Sequence, residues 1–173
     1  MKNIEIKYQV SQLQKIRDFL SSRPEVRQIK TILQTDIYYN TCKGRLKLRI
    51  PSTGKAELIY YEREDLTRAR ESDYQLFPVE KPEQLDKMLR HALGVKVHVK
   101  KQRMLFIFRN VRIHLDSVDD LGEFLEFEAV INKKTPAGLA ARNLHQIQQS
   151  LTHFKLIPQA GSYADLIMEK QTL

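Results

Sequence analysis

The chain has 173 residues, enough for one domain with a sizeable hydrophobic core. With 42% hydrophobic and 29% charged residues it has the composition of a soluble globular protein, and no apolar run approaches the ~18 residues a membrane helix needs, so a membrane role is not expected. The net charge of +8 points to an anionic partner without choosing among nucleic acid, membrane surface and small phosphates.

Asn3 to Tyr8 alternates, with Asn3, Glu5 and Lys7 on one face and Ile4, Ile6 and Tyr8 on the other, which predicts a strand. Ser11 and Gln14 have capping-box spacing, and Leu13, Ile16 and Leu20 keep a helical period to about Ser21. β-Branched and aromatic residues from Lys30 to Tyr39 predict a second strand. After a turn at Asn40 to Gly44, Arg45 to Ile50 alternates completely, with three cations facing one side and three aliphatics the other. Pro51 to Gly54 turns the chain, and Glu57 to Arg63 returns as the partner strand. The charge-dense segment Glu62 to Asp73 reads as a solvated loop, and Asp73 to Val79 is extended again.

Pro82 to Gly94 has the start and stop signals of a helix. Its position after a strand echoes the beginning of the chain and suggests two halves. Val97 to Phe108 reads as a long strand with Lys101 and Arg103 on one face. A hairpin follows: Arg112, His114 and Asp116 share one side, and after the turn at Asp119 to Gly122 so do Phe124, Glu126 and Glu128. Thr135 and Pro136 open a third helix striped by Ala140, Leu144, Ile147 and Leu151. Ser162, with Asp165 three residues on, opens a fourth.

A sheet wet on one side explains any single strand of this kind. Solvated faces usually mix signs, however, whereas here Arg45, Lys47 and Arg49 are all cationic, Lys101 and Arg103 likewise, and Glu126 and Glu128 both anionic. Curled into a barrel with polar faces inward, the cations can hold several phosphates and the carboxylates a divalent ion that bridges to them. The single Cys42 excludes an internal disulfide, and the five histidines lack zinc-site spacing, so any metal is expected on oxygen ligands. Nucleic acid is the competing anion, but Phe106 and Phe108 fall opposite Arg103 and Arg109, and no RNP1-like, zinc-finger or glycine-rich phosphate-loop pattern occurs. The N-terminus lacks a signal-peptide core, so a cytoplasmic location is expected.

Taken in order, I-E-I-K at Ile4 to Lys7, R-L-K-L-R at Arg45 to Arg49, V-K-K-Q-R at Val99 to Arg103, the run Leu115 to Glu128 and S-Y-A-D-L at Ser162 to Leu166 resemble the CYTH superfamily of triphosphate tunnel metalloenzymes. That family includes class IV adenylate cyclases, thiamine triphosphatases and inorganic triphosphatases. The resemblance implies a single CYTH domain over residues 1–173, of α+β class: an eight-stranded antiparallel β-barrel with peripheral helices. It implies Mg²⁺ or Mn²⁺ on Glu5, Glu126 and Glu128, with Asp116 as a further ligand or water-orienting group, and a triphosphate gripped by Lys7, Arg45, Lys47, Arg49, Lys101 and Arg103. Lys7 and Asp116 are the catalytic candidates. The substrate would be ATP, thiamine triphosphate or tripolyphosphate, hydrolysed or, for ATP, cyclised to cyclic AMP. Two positions depart from the family pattern: Asn3 stands where the first glutamate of E-x-E-x-K is usual, and Tyr61 where a lysine is common. Arg63, Arg112 and His114 share the same strands without an assigned role. A non-catalytic nucleotide or polyphosphate binder and an RNA-binding module are the alternatives.

Overall fold

The computed structural model describes residues 2–62 and 65–172. Its strands are β1 (Lys2–Val10), β2 (Arg27–Tyr39), β3 (Arg45–Pro51), β4 (Ala56–Glu62), β5 (Arg70–Val79), β6 (Val95–Phe108), β7 (Val111–Val118), β8 (Gly122–Ile131) and the short β9 (Ile157–Gln159). The helices are α1 (Leu13–Ser21), α2 (Pro82–Leu93), α3 (Ala137–Gln149) and α4 (Tyr163–Gln171). None is long and apolar enough to cross a membrane.

Strands lie in the order β5-β4-β3-β2-β6-β7-β8-β1, and β1 pairs again with β5, from Lys2 opposite Asp73 to Glu5 opposite Arg70. That second pairing closes an eight-stranded antiparallel barrel, as the resemblance implied. The strand–helix echo is also present, since β1-α1-β2-β3-β4 and β5-α2-β6-β7-β8 run through the same sequence of elements. β9 is a ninth strand that joins β1 beyond the seam, at Lys7 to Gln9.

Alternation within each strand sends one face outward to the helices and one inward. Outward Ile4, Ile6, Ile113, Leu115 and Phe127 pack with Ile16 and Leu20 of α1 and with Leu144 and Ile147 of α3. On the other side, Leu85 and Leu89 of α2 cover Ile37, Tyr39 and Leu48. Each such aliphatic or aromatic side chain contributes about 1.5–3 kcal/mol on full burial, so the stability of the fold resides largely outside the barrel wall. The barrel interior can then be polar.

Three local expectations change. Ser11 does not cap α1: Gln12 occupies the N-cap position without a side-chain bond, and the Leu13 amide donates to Glu123 Oε2 at 3.1 Å. A carboxylate from the distant hairpin supplies the acceptor that the local box would have given. The expected loop between Glu62 and Asp73 ends early, because Arg70 already pairs with Glu5. β6 begins at Val95, two residues before its expected start, directly after Gly94. The capping box at Ser162 and Asp165 forms as its spacing predicts.

Candidate functional site

The inward faces of the strands enclose a cavity of about 280 Å³, near the lower limit of small-ligand sites. The alternation of β3 points Lys47 and Arg49 into it, and that of β6 points Lys101 and Arg103. β2 lies between these strands, with Asp36 opposite Arg49 and Gln34 opposite Lys101. Asp36 is fully buried and accepts from Arg49 Nε and Nη2 at 2.8 and 2.9 Å, from Lys47 Nζ at 3.1 Å and from Lys101 Nζ at 3.0 Å. Burial raises its carboxyl pKa, but the attraction of Arg49, Lys101 and Lys47 outweighs that and holds it well below the usual range. Lys101 is driven the other way, down to about 7, because burial disfavours its charge more strongly than Asp36 restores it.

A second network lines the facing wall. Arg103 Nε and Nη2 meet Asp116 at 2.7 and 2.5 Å, and Nη2 also reaches Glu126 Oε2 at 2.9 Å. Tyr163 of α4 donates to Asp116 Oδ2 at 2.8 Å. Asp116 therefore sits behind the cavity lining with both oxygens engaged, placed to orient Arg103. Lys7 Nζ lies 3.9 Å from Glu126 Oε1, donates to the Gly161 carbonyl at 3.1 Å and stands 4.1 Å from the Tyr163 ring centroid. Burial lowers its pKa to about 8. Arg45 is set apart at the rim, bound to Asp65 at 2.5 Å and to the Asp165 cap at 2.8 Å.

Nearby, His114 Nδ1 lies 3.5 Å from Glu126 Oε2 and 3.8 Å from Glu128 Oε1, and one ligand atom from each of the three residues falls within 4.8 Å of the others. Asn3, 3% exposed, lines the same cavity, and its Oδ1 has no hydrogen-bond partner among the described residues. Glu5 pairs with Arg70 at 3.5 Å. Arg112 lies 3.8 Å from Glu128. Tyr61 lines the cavity with its hydroxyl 3.5 Å from that of Tyr38, and Arg63 lies outside the described residues. Convergent carboxylates, an imidazole and an unpartnered amide oxygen are together a donor set that suits a divalent cation.

The sequence model of the CYTH domain matches residues 1–155. The chain belongs to the CYTH domain family. Solved structures with the same fold include the PH1012 protein of Pyrococcus horikoshii OT3, 24% identical, with a TM-score of 0.77 and coverage of 95% of this chain and 98% of that one. A putative adenylate cyclase of Vibrio parahaemolyticus is 21% identical, with a TM-score of 0.72 and coverage of 96% and 97%. The Pct1 RNA triphosphatase of Schizosaccharomyces pombe, solved with the Spt5 CTD, is 14% identical, with a TM-score of 0.58 and coverage of 93% and 87%. No curated protein sequence matches the chain.

Within this CYTH barrel the structure brings together Lys7, Lys47, Arg49, Lys101, Arg103 and Glu126 as lining residues of one cavity. Sequence reasoning missed Asp36, Arg70 and Tyr163. Asp36 carried a signal, since Gln34, Asp36 and Tyr38 form the polar side of an alternating strand. Arg70 shares alternation with the lining residues Ser72 and Tyr74, but the charge-dense segment before it hid the strand start. It is 4% exposed, and its Nε and Nη2 have no hydrogen-bond partner among the described residues.

Proposed function

We propose that this CYTH domain binds a triphosphate compound together with a divalent cation and processes it, by hydrolysis or, for ATP, by cyclisation. The observation that carries the reading is the convergence in one cavity of Lys47, Arg49 and Lys101, gathered on Asp36, with Glu126 and Glu128, which Arg103, Lys7 and Arg112 approach. A triphosphate carries enough negative charge to engage these basic side chains, and a divalent ion held by the two carboxylates would supply further charge neutralisation.

Each residue then has a physical task. Lys47, Arg49 and Lys101 arrive preorganised by Asp36, so their donors need no reordering when phosphate enters. Asp116 holds the Arg103 guanidinium by two of its five donors and leaves others for phosphate oxygens. Lys7, held between Glu126 and the Gly161 carbonyl, adds a cation whose burial keeps it close to its deprotonation point. Glu126 and Glu128, with Glu5 close by, would hold the metal, which supplies charge neutralisation on the phosphate oxygens when bound. In hydrolysis a water oxygen bonds to the terminal phosphorus as its bridging P–O bond breaks. In cyclisation the ribose 3′-hydroxyl attacks the α-phosphorus and pyrophosphate leaves.

Turnover of tripolyphosphate, thiamine triphosphate and ATP, followed separately as phosphate, pyrophosphate and cyclic AMP with Mg²⁺ and with Mn²⁺, tests the reading. Glu126→Gln is expected to cut metal-dependent turnover by about a hundredfold or more, on the scale of losing a transition-state charge partner, while leaving the fold intact. Silence of the wild type on all three substrates with both metals sinks the enzymatic reading. The positions of Asn3 and Tyr61, neutral where the family pattern is charged, favour a second reading: a binder without turnover, which would show tight tripolyphosphate binding and no product.

A further inference from the structure

We infer that His114 is a metal ligand, so that the divalent site is a mixed nitrogen–oxygen site for manganese or a later first-row cation rather than for magnesium. This rests on the triphosphate reading above for the metal's purpose, but not for its ligands. The donors are His114 Nδ1, Glu126 and Glu128, one ligand atom of each lying within 4.8 Å of the others.

Geometry separates this from an ordinary ion pair. A charged imidazole against a carboxylate normally closes to about 2.7–2.9 Å. His114 Nδ1 instead stands 3.5 Å from Glu126 Oε2, at the long limit of a hydrogen bond, and 3.8 Å from Glu128 Oε1. Two ligands each about 2.1 Å from a common ion are separated by roughly 3.0–4.2 Å in tetrahedral or octahedral arrangements, which is where these atoms lie. Their spacing is that of neighbours around a shared centre.

Asn3 gives the independent observation. Its Oδ1 is buried in the lining of the same cavity without a hydrogen-bond partner among the described residues, a costly state unless something positive arrives. β1 and β8 pair Lys7 with Glu126, Glu5 with Glu128 and Asn3 with Val130, so Asn3 stands one inward step along β1 from the Glu5–Glu128 rung and two from the Lys7–Glu126 rung, lining the cavity on the Glu128 side of the group. β7 and β8 pair His114 with Glu126, which makes the imidazole and that carboxylate direct cross-strand neighbours.

The competing cations do not close the site. Arg103 approaches Glu126 Oε2 at 2.9 Å, Lys7 remains 3.9 Å from Oε1, and Arg112 is 3.8 Å from Glu128 Oε2, leaving Oε1 turned to His114. An imidazole suits later first-row ions better than magnesium, whereas the two carboxylates serve either, so His114 is the donor that sets the preference.

Pulsed electron paramagnetic resonance of Mn²⁺ added to the purified protein tests the assignment, since imidazole nitrogen on the ion modulates the echo and carboxylates do not. The expected result is nitrogen modulation in the wild type, its loss in His114→Gln, and Mn²⁺ affinity lower by about tenfold or more in that variant, with a large excess of Mg²⁺ failing to displace Mn²⁺ from the wild type. Bound Mn²⁺ without nitrogen modulation overturns the proposal, as does unchanged or tighter Mn²⁺ binding in His114→Gln, the outcome expected if the imidazole were only a counter-charge to the carboxylates. Should His114→Gln not fold, His114→Asn takes its place, since four other histidines could supply a nitrogen and the assignment needs the loss at position 114. Tripolyphosphate turnover measured on the same preparation separates the two readings: modulation without turnover leaves His114 as ligand and removes the enzymatic role, and turnover without modulation does the reverse.

Discussion

Asp36 shows how a single residue can set the character of the site. One fully buried carboxylate anchors Lys47, Arg49 and Lys101, so its removal strands Lys47 and Arg49, and Lys101 wherever it is protonated, in a confined space. Asp36→Asn is expected to destabilise the fold by about 3–5 kcal/mol, the cost of breaking a buried ion pair from one side. For a chain of this length that is a fall of roughly 10 °C in Tm, and tripolyphosphate, by replacing the lost charge, should recover more Tm in the variant than it adds to the wild type. A smaller gain in the variant would mean that Asp36 aligns the cations and the ligand cannot. Lys101 carries a pH consequence. Its folded pKa of about 7 lies below the free value of 10.5, so between these limits the unfolded chain holds a proton that the folded chain lacks, and stability rises with pH across that window. Bound phosphate favours the charged amine and reverses the shift. Binding of tripolyphosphate near pH 8 should therefore take up a proton, seen as buffer-dependent calorimetric heat, and Lys101→Met should diminish that uptake; no uptake in the wild type refutes the coupling. The cations themselves were legible as like-charged alternation in Arg45 to Arg49 and at Lys101 and Arg103. For Asp36 only the inward position was legible and not its role, because its partners lie 11, 13 and 65 residues away and meet it only once β2 is flanked by β3 and β6.

At the level of elements, the same distinction between local and distant signals decides what could be read. The box at Ser162 and Asp165 is complete in sequence and forms, whereas the one proposed at Ser11 loses to Glu123, a carboxylate 110 residues from the amide it accepts from. Glu123→Ala should therefore cost about 1 kcal/mol, the usual value of an N-cap, while Ser11→Ala should stay within about 0.5 kcal/mol; thermal or urea unfolding of the two variants checks the contrast, and the opposite ranking would restore Ser11 as the cap. β9 escaped notice because three residues, one of them Pro158, carry no periodicity. Its effect is nonetheless positional: with Gly161 and α4 it brings the chain back over the end of β1 and places Tyr163 against Lys7 and Asp116. Residues 156–173 lie beyond the span matched by the family model, yet this returning segment supplies part of the site.

In the whole molecule, the barrel is closed unevenly. β2 and β6 pair over twelve positions and β1 and β8 over nine, but β1 meets β5 over only four, from Lys2 to Glu5. A short seam with few pairs is where a barrel opens at least cost. The pair Glu5 and Arg70 ends this seam, and Arg70, which donates from Nη1 to the Leu66 carbonyl, keeps Nε and Nη2 without hydrogen-bond partners among the described residues, so donors remain there for an entering anion. Lys7 and Glu126 stand close enough to bear on the charge of Arg70 and of one another, so a polyanion with its cation in the cavity would touch both sides of the seam. Ligand binding should then act as a clasp. Hydrogen exchange followed by mass spectrometry, with and without tripolyphosphate and Mn²⁺, is expected to show the largest gain in protection in peptides covering residues 2–5 and 70–73, and little change in the β2–β6 ladder, which is already slow. Arg70→Met should remove most of that seam-specific gain while leaving the β2–β6 ladder protected. Uniform protection across the barrel would mean that the ligand stabilises the fold only globally, and protection confined to β3 and β6 would place the anion on the Asp36 side alone.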